Sequence, residues 1–104
     1  MDYLRIIFVG ALLCNCIPHL AAGLQGRSFP TPFATPRGVG QSSASVNVLW
    51  GAANLFSGLF LLVRDLTPLE TAAGIAAMGL GFLGLGIWLS RHFGRVEAAA
   101  PHGD

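Results

Sequence analysis

Three stretches of this 104-residue chain carry no Asp, Glu, Lys or Arg, and nothing else in the sequence restricts its fold so tightly. They comprise 21 residues between Arg5 and Arg27, 26 between Arg37 and Arg64, and 20 between Glu70 and Arg91. A helix rises about 1.5 Å per residue, so about 20 apolar residues cross a hydrocarbon layer of about 30 Å. Composition agrees with that reading. Charged residues are 11% of the chain and apolar ones 53%, whereas an average soluble domain is about 25% charged. A soluble chain this short would lack the polar residues to cover its core. The sequence therefore predicts an all-α membrane protein. It is one integral membrane domain over 1–104, with transmembrane helices at about 3–24, 44–63 and 68–92, a long Pro/Gly loop over 25–43 and a disordered tail over 96–104.

Local signals place the boundaries. In the first helix, Pro18 removes one backbone donor and crowds the turn at Cys14, which predicts a kink. Gly23 and Gly26 end that helix. Its apolar core is short and Leu20-Ala21-Ala22 is a poor cleavage site, so it is read as a retained helix rather than a signal peptide. "QGRSFPTPFATPRGVGQSSAS" has no helical or strand period. Its prolines favour extended backbone, and Phe29 and Phe33 flank a Pro-Thr-Pro turn. Ser42, Ser43 or Ser45 can cap the second helix. "TPLE" has the form of a capping box, with Thr67 as cap, Pro68 at the first helical position and Glu70 reaching back. That short connection predicts a tight antiparallel hairpin of the second and third helices. Arg91, His92 and Arg95 suit the C-terminal end of the third helix, and Gly94 is a candidate stop.

Small residues fall on faces. Asn47, Gly51, Asn54 and Gly58 recur at spacings of four, three and four, one side of the second helix. The opposite side carries Leu49, Phe56, Phe60 and Val63. "GIAAMGLGFLGLGIW" places Gly74, Gly79, Gly81, Gly84 and Gly86 in the third helix, with Ala73, Ala77 and Gly81 as one row. Helices in lipid associate by close packing at small residues, because apolar burial gives no drive there. Gly51, Gly58, Gly74, Ala77, Gly81 and Gly84 are thus the predicted packing positions.

The polar groups inside the apolar stretches are the candidate site. Asn15 and His19 stack four residues apart. Asn47 is brought to their level by the first loop, and Asn54 lies deeper, opposite the glycines of the third helix. An intramembrane histidine raises the reading of a proton or solute contact; the alternative is a hydrogen-bonded packing residue. Cys14 and Cys16 point about 200° apart on a straight helix, which does not clamp one ion. The metal candidates are then Cys16 and His19, supplied twice by two copies. No Ser/His/Asp arrangement, paired intramembrane carboxylates or phosphate-binding loop is present, so no catalytic residue and no cofactor is assigned. Net charge is +1 with no lysine, which offers no nucleic-acid footprint.

The function these features favour is a structural or accessory membrane subunit, packing through Gly/Ala faces into a homo-oligomer or a larger complex. The alternatives are an oligomeric transporter or channel lined by Asn15, His19, Asn47 and Asn54, and a metal-handling protein. Arg-only, Ala/Gly-rich usage points to a bacterial inner membrane. Arg27, Arg37, Arg91 and Arg95 against Arg5 and Arg64 predict a cytoplasmic first loop and C-terminus.

Overall fold

The computed structural model describes residues 2–100. Among them are three long helices: α1 over Tyr3–Leu24, α2 over Ala44–Val63 and α3 over Ala72–Ala99. Each is long and apolar enough to cross a membrane. Between α1 and α2 the chain forms two short antiparallel strands, β1 (Phe29–Pro30) and β2 (Gln41–Ser42), with Phe29 opposite Ser42 and Pro30 opposite Gln41. A single 3₁₀ turn, Thr67–Glu70, precedes α3.

The bundle is centred on α1. That helix packs along both α2 and α3, whereas α2 and α3 barely meet. It buries eight residues, against four in each of the others. The expected tight hairpin of the second and third helices is therefore corrected: a short connection joins them, and α1 occupies the space between. The reason is visible at the glycines. A Cβ at Gly10 would overlap the carbonyl oxygen of Met78, and one at Gly81 would overlap that of Ile7. So α1 and α3 touch backbone to backbone, each supplying a glycine to the crossing. Ile6, Val9 and Ala77 form the buried core beside it, with Leu61 and Met78 packed on its edge. On the other flank, added Cβ atoms at Gly23, Gly51 and Gly58 would strike Ala44, Leu20 and Leu13, respectively.

The buried residues of α2 are Asn47, Gly51, Asn54 and Gly58, and this stripe faces α1. Gly74 is tight for a different reason, since its Cβ position is filled by the Pro68 carbonyl of the 3₁₀ turn. Gly84, predicted as a packing position, has no neighbouring atom within 4 Å of a would-be Cβ and is turned outward.

Helix ends show why each stops where it does. Asp2 accepts from the Arg5 backbone N–H at the start of α1. At its end Gly26 adopts a left-handed φ of 74°. The Arg27 N–H then bonds back to Ala22 O and that of Gly26 to Gly23 O, at 2.9 and 3.0 Å, a glycine-closed helix terminus. The helix runs unbroken through Pro18. Ser43 caps α2 through the Val46 N–H, and the Arg5 guanidinium donates to Leu61 O and Asp65 O at the far end. The capping-box reading of "TPLE" is also corrected. Thr67–Glu70 is the 3₁₀ turn itself, held by Asp65, whose carboxylate accepts from the Thr67 backbone N–H at 2.9 Å. Thr71 is the cap of α3, accepting from the Gly74 N–H at 3.0 Å. At its other end α3 passes His92 and Gly94 and continues to Ala99. Val96 to Ala99 of the expected tail are thus helical, and residues 101–104 lie outside the described residues.

Candidate functional site

The polar residues run along the α1–α2 seam from its middle to the end of the bundle that carries the β1–β2 loop, where Asn47 lies. Asn47 organises it. Its amide nitrogen lies within 3.0–3.2 Å of three backbone carbonyls, those of Phe29, Ser42 and Ser43. These acceptors fix the amide orientation, because only the NH₂ side can face a carbonyl. The Asn47 oxygen must then face α1, where it meets His19 Nδ1 at 2.8 Å. One buried side chain thus ties both strands of the loop to α2, and α2 to α1. The loop is further closed by Thr31, buried, whose hydroxyl lies 2.5 Å from that of Ser42 and accepts from the Phe33 N–H.

A second relay runs parallel to the first, deeper in the seam. Asn54 donates to Trp50 O at 2.8 Å, which leaves its oxygen to accept from the Asn15 amide at 3.0 Å. Asn54 therefore pairs with α1, and the expected placement against the glycines of α3 is corrected. The seam brings the four predicted polar residues together as two pairs, Asn47 with His19 and Asn54 with Asn15.

Backbone carbonyls set the direction of both relays, and each ends in an acceptor. Because Asn47 presents oxygen, the neutral His19 ring is the Nδ1–H tautomer with Nε2 as a bare lone pair. Because Asn15 spends its NH₂ on Asn54, its oxygen is left over. Among the described residues no hydrogen-bond donor is paired with either atom. No fully buried polar side-chain atom there lacks a partner, so each of these two atoms keeps some accessible surface, and both residues border an open space.

That space is a chamber of about 140 Å³ beneath the loop. Asn15 and His19 form its floor, Trp50 and Trp88 stand on α2 and α3, Phe93 adds a third ring, and Pro30–Pro32 is the roof. The His92 Nε2–H donates to Gly38 O at 2.6 Å and fastens the roof to α3, while its ring stacks on Trp88 at 5.0 Å. Phe29 turns inward, 5.5 Å edge-on from His19 and 4.6 Å from Phe93. Phe33 stays largely exposed, edge-on to Trp50 at 5.0 Å. Sequence reasoning identifies Asn15 and His19 but misses Trp88, His92 and Phe93, because nothing in the helical period of α3 says that its last turns meet the first loop.

Cys14 and Cys16 are buried thiols outside this chamber. Cys16 Sγ donates to Leu13 O at 3.0 Å. Among the described residues no three His, Cys, Asp or Glu side chains gather into a metal-binding group. Comparison of the chain with protein-family models, curated proteins and solved structures found no match.

Proposed function

We propose that this chain is an integral membrane protein of the bacterial inner membrane with a structural role, a small subunit that packs laterally against a second membrane chain. The observation that carries this reading is where the polar side chains are spent. Asn15, His19, Asn47 and Asn54 close on one another along the α1–α2 seam of one chain, so they lock a protomer rather than line a pathway between copies. Interhelical amide bonds in lipid contribute about 0.6 kcal/mol each on average, enough to select which faces meet.

The outward surfaces support the bilayer. Leu49, Leu80 and Leu83 are 71%, 63% and 64% exposed, a density of bare apolar side chains that water does not tolerate. The outer face of α3 also carries Ala76 and Gly84, small enough for another backbone to approach, whereas that of α2 is bulky, with Leu49, Phe56 and Phe60. The first loop and the last turns of α3 lie at one end of the bundle, with Arg27, Arg37, Arg91 and Arg95 in those segments. That favours a cytoplasmic location for this end.

A photo-crosslinking residue at Leu83, in native membranes, tests the reading. A protein adduct is expected there, and lipid adducts alone at Leu49. Lipid adducts alone at both positions contradict lateral assembly through α3.

A further inference from the structure

Packing the bundle does not use up the polar atoms at the ends of the two relays. Asn15 and His19 sit on the same face of α1, one helical turn apart, and both line the chamber under the loop. Asn15 Oδ1 and His19 Nε2 are the atoms that their bonds to α2 leave over. His19 is 2% exposed, so its ring is shielded from the surroundings of the bundle. The floor therefore asks for hydrogen-bond donors. A ligand that brought only acceptors would leave both atoms unpaired, which is costly in an apolar surrounding.

The walls add a second requirement. Trp50, Trp88 and Phe93 present aromatic rings around those acceptors, and among the described residues no Asp, Glu, Lys or Arg lines the chamber. Aromatic faces carry negative quadrupole potential and attract cations, tryptophan most strongly. A group that is all donor, carries positive charge and has a short apolar stem meets both requirements. An ammonium has three donors and no acceptor.

We propose that the chamber beneath the β1–β2 loop is a binding site for a primary ammonium group. The ammonium donates N–H to His19 Nε2 and Asn15 Oδ1, with its charge against Trp50 and Trp88. The chamber of about 140 Å³ is close to the size of cavities that hold a benzene-sized guest, about 150 Å³. An ethanolamine lipid headgroup and a small free amine both present this group.

The two tryptophans of the chain are both in the chamber wall, so intrinsic fluorescence reports on it. The full chain in phosphatidylcholine nanodiscs is titrated with ethylammonium chloride, with tetramethylammonium chloride and sodium chloride alongside. Phosphatidylcholine has no N–H of its own. The expected result is a saturable change with ethylammonium, weaker by roughly tenfold or more for tetramethylammonium, which cannot make the charged hydrogen bonds. Trp88→Leu, at a half-exposed position, should weaken binding with Trp50 as the remaining reporter. His19→Leu should abolish it. Because His19→Leu also removes the bond to Asn47, the wild-type ¹⁵N resonance of Nε2 is followed as well, and it should move as ethylammonium saturates.

A repeat in phosphatidylethanolamine nanodiscs separates the sources. Emission already at its saturated value identifies the headgroup as occupant, and an unchanged titration identifies the free amine. The proposal is overturned by no saturable response in phosphatidylcholine, by equal responses to all three salts, or by an Nε2 resonance that stays put.

Discussion

Gly81 and Gly84, three residues apart on one helix, behave oppositely at the level of single atoms. Gly81 is pressed on the Ile7 carbonyl, whereas Gly84 faces open space. Gly81→Leu should therefore push α1 and α3 apart and cost about 3 kcal/mol or more, since the clash is with backbone that no rotamer change relieves. Gly84→Leu should change the stability of the isolated protein by less than about 0.5 kcal/mol. Thermal unfolding in detergent compares them, and equal losses would contradict the crossing. Asn47 is the other residue on which much depends. Asn47→Ala leaves the His19 N–H without its acceptor and takes the amide donor from the carbonyls of Phe29, Ser42 and Ser43, of which Ser43 O keeps the backbone N–H of residue 47. Each buried polar group left unsatisfied costs about 1–3 kcal/mol. Amide exchange over Phe29 to Ser42 should quicken relative to wild type while the middle of α3 stays protected. Unchanged protection of the loop would show that Asn47 is not its anchor.

At the level of elements, the three helices are legible in the sequence because a charge-free apolar run of about 20 residues has the length and polarity that a bilayer demands of a spanning helix. The stripe of Asn47, Gly51, Asn54 and Gly58 is legible from its spacing alone. Its partner is not, because periodicity says which side of a helix is special without saying what it faces. The signal that α1 is central resides in Gly10 and Gly23, which lie on different flanks of the helix and meet α3 and α2. "TPLE" misleads for a local reason. Thr67 and Glu70 have the right spacing for a capping box, but Asp65 captures Thr67 two residues earlier and turns the segment into a 3₁₀ turn, leaving Thr71 to start α3. This arrangement has a pH dependence. The hydroxyl and backbone N–H of Thr67 hold the Asp65 carboxyl below the usual carboxylate range. A lowered folded-state pKa means that the stabilisation is present above the unfolded value and is lost as pH falls through the folded one. Wild type should thus be more stable than Asp65→Ala at pH 7, with the gap closing as the carboxyl protonates. A gap that persists into strong acid would contradict the assignment.

The whole molecule is an elongated bundle, 52 × 24 × 21 Å, whose two ends are built differently. At one end Arg5 ties the start of α1 to the carbonyls that finish α2. At the other, the β1–β2 loop is tied down by Asn47 and His92 over an aromatic chamber. At 28 residues, α3 is about 42 Å long, more than a hydrocarbon core requires, which places its final turns at the level of the loop. Among the described residues, the apolar cluster of Ile6, Val9 and Ala77 lies next to the Arg5 end, and the buried polar side chains of the helices, Asn54, His19 and Asn47, follow from the middle of the α1–α2 seam to the loop end. A packing role therefore fits the body of the bundle, and the proposed ammonium site lies at the loop end. All of this depends on α1 lying between α2 and α3 in lipid. Carbon–carbon correlation by magic-angle-spinning NMR, on uniformly labelled protein in bilayers, reads that order without any substitution. Cross-peaks of Gly81 with Ile7, Gly10 with Met78, and Gly51 with Leu20 are predicted. Correlations of the α2 glycines with α3, and none of Gly81 with α1, would contradict it.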